Sequence, residues 1–276
     1  MNRDKIKMIV SDLDGTLLSS TKEISEIDLA TMIALKNKNI LITIASGRPL
    51  KSILLNLKKW KIDKLVNYII HTNGYGIFNC STGIDQTFYT MDSITCSKII
   101  ERYFKSPGLS IIDYDGLSIK TTKINRTVLR IQSYNNAHIQ LVDTRYFKEH
   151  IFPKLMFSGH DDDIDSLAKD YKQGVNPNDT FKGFKSSSDI FEFIDYHLSK
   201  NYALQKLLKS IQLYSNQIIV FGDSQNDLEV LCNNPNSVAM ANAPDEIKAL
   251  ATYCTTSNDN SGFSYFLNTD ILKGGY

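Results

Sequence analysis

Short apolar runs alternate with amphipathic stretches along the first part of the chain. Lys7–Ser11 (KMIVS) is compact, apolar and β-branched, the pattern of a strand buried on both faces. From Ser25, a residue type suited to cap a helix, Leu29, Met32 and Ile33 recur at helical spacing. Ile40–Ala45 (ILITIA) predicts a second buried strand, 50–60 a second helix, and Tyr68–His71 a third strand running into an Asn73-Gly74 turn. Strands that alternate with helices predict an α/β fold: a doubly wound, Rossmann-like parallel sheet with right-handed crossovers.

Near residue 80 this rhythm gives way to short strand candidates at 87–89, 109–112, 117–120, 127–134 and 154–159, separated by Asp, Gly, Asn and Pro. Helical stretches at about 93–105 and 164–172 lie among them, which reads as a smaller α+β domain. From about Ser188 the first rhythm resumes. Ile190–Ile194 predicts a strand, and Ser199 the cap of a helix bearing Leu204, Leu207, Leu208 and Ile211. Gln217–Phe221 predicts a strand ending in Gly222-Asp223, and Leu228 and Leu231 start a helix. Strands at 237–241 and 253–256 flank a helix opened by Pro244. The expected organisation is a discontinuous α/β core, 1–82 and 188–276, with an α+β cap, 83–187, inserted in it.

A chain of 276 residues and 31.2 kDa agrees with two domains. Lys and Arg total 31 against 30 for Asp and Glu, which argues against a broad nucleic-acid or membrane-coating role. No apolar run approaches the roughly 20 residues of a membrane helix, and the N-terminus does not read as a secretory signal. Cys80, Cys96, Cys232 and Cys254 form no CxxC pair, so buried free thiols in a reducing, cytoplasmic setting are expected. The histidines show no zinc-ligand spacing.

The candidate chemistry sits where predicted strands end, because loops at the carboxyl ends of parallel strands gather into one crevice. Asp12 and Asp14 follow the first strand, Ser46 and Gly47 the second, Asp223, Asn226 and Asp227 a later one, and Lys200 opens a helix. Several carboxylates in one crevice repel unless a cation or lysine compensates, and an oxygen-rich site with room for water and phosphate suits Mg²⁺.

Asp12-Leu13-Asp14-Gly15-Thr16 resembles the DxDGT signature of the haloacid dehalogenase (HAD) superfamily. Ile44–Arg48 is similar to its second motif, Leu198-Ser199-Lys200 to its lysine motif, and Gly222–Asp227 to its GDxxND motif. Val238–Ala243, Lys248 and Ser257–Gly262 further resemble the Cof-type subfamily, which inserts its cap between the second and third motifs. The resemblance implies a Mg²⁺-dependent phosphatase acting on a small phosphorylated metabolite, such as a sugar phosphate, phosphorylated cofactor or nucleotide. It implies Asp12 as nucleophile and Asp14 as general acid and base. Asp12, the Asp14 carbonyl and Asp223 would hold Mg²⁺, while Ser46, the Gly47 amide, Lys200 and Asn226 would contact phosphate. Asp227 would orient Lys200 or a metal-bound water.

Simpler roles compete at some positions. Asp227 could cap the following helix, and Arg48 could form an inter-domain ion pair. Asn73-Gly74 suits a purely conformational role. Asp161–Asp163 reads as a helix start rather than a metal site, and Tyr171, Phe181 and Phe184 as cap core. A phosphomutase, or a binding protein without catalysis, would be alternative uses of the same scaffold.

Overall fold

The structure, a computed structural model, describes residues 5–272. The N-terminal segment read for a secretory signal begins outside that range. The chain divides into two compact units. One comprises Met1–Gly47, Asn56–Thr87 and Ser199–Tyr276, and the other Arg48–Leu55 and Phe88–Leu198.

The chain opens with β1 (Met8–Ser11), α1 (Glu26–Asn37), β2 (Leu41–Ala45), α2 (Leu50–Leu57), β3 (Tyr68–His71), β4 (Gly76–Asn79) and β5 (Asp85–Thr87). Ser25 caps α1 as its position predicts, its Oγ accepting from the Asp28 amide at 3.0 Å.

The second unit contains α3 (Ser93–Tyr103), β6 (Ser110–Tyr114), β7 (Ser118–Thr121), α4 (Arg126–Asn135), β8 (His138–Leu141), α5 (Thr144–Glu149), β9 (Lys154–Ser158), α6 (Asp161–Gly174), β10 (Phe181–Ser187) and β11 (Ile190–Asp195). Its six-stranded sheet runs in the order β10-β11-β9-β6-β7-β8. The pairings are antiparallel except for β7 with β8. Tyr171 and Phe181 join an aromatic core with Tyr103, Phe191 and Phe193, whereas Phe184 is half-buried. Asp161–Asp163 form the first turn of α6, where their charge suits the positive end of the helix.

Three expectations change here. Residues 127–134 are helical, not extended: Asn125 caps α4 by accepting from the Val128 amide at 3.0 Å, and Val128 and Ile131 bury one helical face. The strand from Ile190 does not return to the parallel core but lies antiparallel between β9 and β10, so the second unit extends through Leu198. Residues 48–55 also group with it. Lys51 pairs with Asp115 at 2.7 Å, Asn135 donates to Ser52 Oγ at 2.7 Å, and the Arg48 guanidinium lies 5.2 Å from the Tyr134 ring centroid.

The chain ends with α7 (Lys200–Ser210), β12 (Ile218–Gly222), α8 (Leu228–Cys232), β13 (Ser237–Ala239), α9 (Asp245–Lys248), β14 (Tyr253–Cys254) and α10 (Gly262–Asp270). The eight-stranded sheet of the first unit has the order β14-β13-β12-β1-β2-β3-β4-β5. Its pairings are parallel from β14 to β3, and β4 and β5 add an antiparallel edge that the sequence pattern did not announce. In register, Ser11 stands opposite both Ile44 and Phe221, so residues after β1 emerge between those after β2 and β12.

The cysteines are free, but only Cys96 is buried; Cys80 is half-buried, and Cys232 and Cys254 are exposed. Cys232 is the last residue of α8 and Cys254 lies on β14 at the edge of the sheet, positions that leave their thiols at the surface. Among the described residues no helix is long and apolar enough to cross a membrane.

Candidate active site

The central position of β1 brings the first motif against the last. Asp12, 5% exposed, accepts from Lys200 Nζ at 2.7 Å, and its amide donates to the Phe221 carbonyl at 3.1 Å. Lys200 is the first residue of α7, which Ser199 caps by accepting from the Tyr202 amide at 3.0 Å. Leu204, Leu207 and Leu208 anchor that helix in the core, which fixes the backbone from which the buried ammonium extends. Its second partner is Asp227 Oδ1, also at 2.7 Å.

Asp227 does not cap α8. Its Oδ2 accepts from the amides of Asp223 and Ser224, each at 3.1 Å, and thereby closes the acidic loop on itself. Asp223 in turn accepts from Thr16 Oγ1 at 2.6 Å. Asp14 faces a different neighbour, accepting from Lys22 Nζ at 2.8 Å. Asn226 Nδ2 donates to Asn73 Oδ1 at 3.1 Å, and the Asn73 amide donates to the Ser46 carbonyl at 3.1 Å. Ser46 is itself buried and Gly47 follows it at the end of β2. Thus Asp12, Lys200, Asp223 and Asp227 form one cluster, linked through Asn226 and Asn73 to Ser46.

Spacing alone did not single out Thr16, Lys22 or the partnership of Asn73 with Asn226. Thr16 had a signal, its place beside Gly15 in the first motif. Lys22 had none, since its approach to Asp14 depends on the loop path after β1. The loop after β3 was legible only as a turn, yet Thr72, Asn73 and Gly74 all have positive φ, 49°, 57° and 96°. A β-branched residue there costs on the order of 1–3 kcal/mol, which neighbouring contacts must offset.

Charge in the cluster is strongly perturbed. Burial pushes the Asp12 carboxyl well above its usual range; Lys200 opposes that, while Asp227 and Asp223 add to it. Burial and the nearby Asp227 push Asp223 up to about 7, against the Thr16 hydroxyl and Lys200. Burial alone would discharge Lys200, but Asp12 and Asp227 hold its ammonium above the ordinary lysine range. Carboxylate oxygens of Asp12, Asp223 and Asp227 lie within 4.8 Å of one another. Once ionised, three acids against one lysine carry excess negative charge, and hard oxygen donors this close fit a small divalent cation. Both Asp227 oxygens already accept hydrogen bonds, so Asp12 and Asp223 are the carboxylates better disposed to a metal.

The profile of the haloacid dehalogenase-like hydrolase family matches residues 9–267. The 5-amino-6-(5-phospho-D-ribitylamino)uracil phosphatase YitU of Bacillus subtilis is 26% identical over 275 residues, covering 94% of this chain and 96% of that protein. The HMP-PP phosphatase of Klebsiella pneumoniae is 24% identical over 265 residues, covering 95% and 94%. A solved haloacid dehalogenase-like hydrolase from Bacteroides thetaiotaomicron superposes with a TM-score of 0.80 at 26% identity, covering 96% of this chain and 99% of that one. The first acidic motif, the lysine helix and the acidic loop all fall within the matched span, and the chain belongs to the haloacid dehalogenase-like hydrolases.

Proposed function

We propose that this chain is a Mg²⁺-dependent phosphatase that hydrolyses a small phosphorylated metabolite through an aspartyl-phosphate on Asp12. The observation that carries the reading is the buried Asp12 carboxylate, oriented by Lys200 at 2.7 Å and faced by Asp223 and Asp227. The Asp12 carboxylate attacks phosphorus as the ester oxygen leaves with a proton from Asp14. Asp14 then takes a proton from water, whose oxygen displaces the Asp12 carboxylate and releases inorganic phosphate. Ser46, the Gly47 amide, Lys200 and Asn226 hold the phosphoryl oxygens, where positioning and charge neutralisation do most of the catalysis. Asp12, the Asp14 carbonyl and Asp223 would hold Mg²⁺, which supplies positive charge against the repulsion between nucleophile and phosphate. Asp227 orients Lys200.

YitU is named as a phosphatase of 5-amino-6-(5-phospho-D-ribitylamino)uracil and the Klebsiella pneumoniae protein as a phosphatase of HMP-PP, and we extend that range of small phosphorylated substrates to this chain. The test is phosphate release from a chromogenic phosphate ester with Mg²⁺ and with chelator, followed by a screen of sugar phosphates, phosphorylated cofactors and nucleotides. Full activity with chelator present would sink the proposal.

Gly15 gives a sharper probe of the metal site. Its φ is +86°, and a Cβ there would lie 2.3 Å from Asp223 Oδ2. Gly15→Ala is expected to raise the Mg²⁺ concentration for half-maximal activity by roughly 10–100-fold, as displaced metal-site neighbours commonly do. A Mg²⁺ titration of phosphate release reads this directly, and an unchanged half-point counts against Asp223 as a ligand.

Asp223 also predicts a pH dependence. Between the ordinary value of 3.8 and about 7, the folded metal-free protein holds a proton that the unfolded chain has lost. Its contribution to stability therefore falls as pH rises through that window. Mg²⁺ competes with this proton, so thermal stabilisation by Mg²⁺ should be larger at pH 8 than at pH 6. Equal shifts of the melting temperature at both pH values would contradict the assignment.

A further inference from the structure

The loop Thr72–Gly74 touches three elements of the proposed phosphate site. The Asn73 amide donates to the Ser46 carbonyl and its Oδ1 accepts from Asn226, each at 3.1 Å. Gly74 lies so close to α7 that a Cβ would meet the Ser199 carbonyl at 2.0 Å, one residue before Lys200. Three successive residues with positive φ, one of them β-branched, do not hold such a path unaided.

The restraint is a residue that neither motif spacing nor the mechanism uses. His71, the last residue of β3, is 3% exposed. Its Nε2 lies 3.0 Å from Asp85 Oδ1 and its Nδ1 3.2 Å from Thr72 Oγ1. A carboxylate only accepts, so Nε2 carries a proton, and in the neutral ring Nδ1 accepts from the Thr72 hydroxyl. Tyr75 packs edge-on at 5.9 Å between ring centroids. Asp85 on β5 thus orients the imidazole, and the imidazole grips the first left-handed residue of the loop.

We propose that His71, oriented by Asp85, is a positioning residue for phosphoryl binding: it fixes the Thr72–Gly74 loop and through it Ser46, Asn226 and the start of α7. The inference rests on the phosphatase reading and deepens it. It also separates two functions of the site. The Asp12 and Asp223 carboxylates follow β1 and β12, so loosening the loop after β3 should weaken phosphoryl binding and leave metal binding alone.

The experiment compares Asp85→Ala, on an exposed edge strand, with His71→Ala. For each, kcat and KM with a chromogenic ester, inhibition by orthovanadate, the Mg²⁺ activation constant and the melting temperature are measured. Asp85→Ala is expected to weaken vanadate inhibition and lower kcat/KM on the order of tenfold, with a larger effect for His71→Ala. The Mg²⁺ activation constant of Asp85→Ala should stay at its wild-type value. Unchanged vanadate inhibition in both variants overturns the inference. So does a parallel loss of Mg²⁺ activation and thermal stability in Asp85→Ala, the mark of a general structural role. A wild-type protein that neither releases phosphate nor binds vanadate would instead overturn the phosphatase reading itself.

Discussion

Asp12→Asn is expected to abolish phosphate release and keep the fold. The substitution is isosteric, and the amide oxygen can still accept from Lys200, which retains Asp227 as its charged partner at 2.7 Å. Burial already pushes the Asp12 carboxyl toward its neutral form, so a neutral side chain does not strain the surrounding packing. The melting temperature should therefore remain near that of the wild type or rise. Turnover should fall by roughly 10⁴-fold or more, the scale on which removal of a covalent nucleophile acts. A variant that keeps turnover within tenfold of wild type would sink the nucleophile assignment. One that loses activity together with its fold would assign Asp12 a structural part instead.

The largest effect on stability is expected from Lys200→Met. Lys200 is 1% exposed, and its ammonium is the shared partner of two buried carboxylates. Its loss leaves Asp12 and Asp227 facing each other and Asp223 with no lysine to offset their charge. Removing one side of a buried ion pair costs about 3–5 kcal/mol, a drop in melting temperature on the order of 10 °C. The sign of its pH dependence follows from the carboxyls left behind. Asp12 and Asp223, already pushed up by burial and now without the opposing lysine, bind protons more readily in the folded protein than in the unfolded chain, so the deficit should be smaller at pH 5.5 than at pH 8. Mg²⁺ should recover part of it by supplying positive charge. A melting temperature unchanged at pH 8 would mean that the lysine does not carry the electrostatic balance of the site.

Much of this site was legible because its residues lie next to strongly patterned strands. Buried parallel strands such as KMIVS and ILITIA are short apolar runs, and the polar residues that interrupt them mark the crevice. Asp12, Ser46, Asp223 and the helix-opening Lys200 could be picked out that way, and the cluster of Asp12, Lys200, Asp223 and Asp227 forms in the fold. The second unit was harder to read. In Thr127–Tyr134, β-branched residues mimic a strand, and the outcome turns on one side-chain cap from Asn125. Ile190–Ile194 is apolar enough to suit either sheet, and long-range pairing, which periodicity does not encode, places it between β9 and β10. The contact of His71 with Asp85 depends on β4 and β5 folding back antiparallel beside β3, and the Asn73-Gly74 turn marked the reversal without showing which residues it would bring together.

The strand order also governs how the protein is made. β1 pairs with β12 on one side and β2 on the other, and β12 leaves the ribosome roughly 200 residues after β1. At about 5–20 residues per second that interval is on the order of 10–40 s. Throughout it, a nascent chain that has paired β1 with β2 presents an unfilled hydrophobic edge, the kind of surface that recruits chaperones or mispairs with other chains. Nonlocal closure of this sort slows folding. The second unit is synthesised entirely within that window, so the order of synthesis leaves the central sheet to be sealed last.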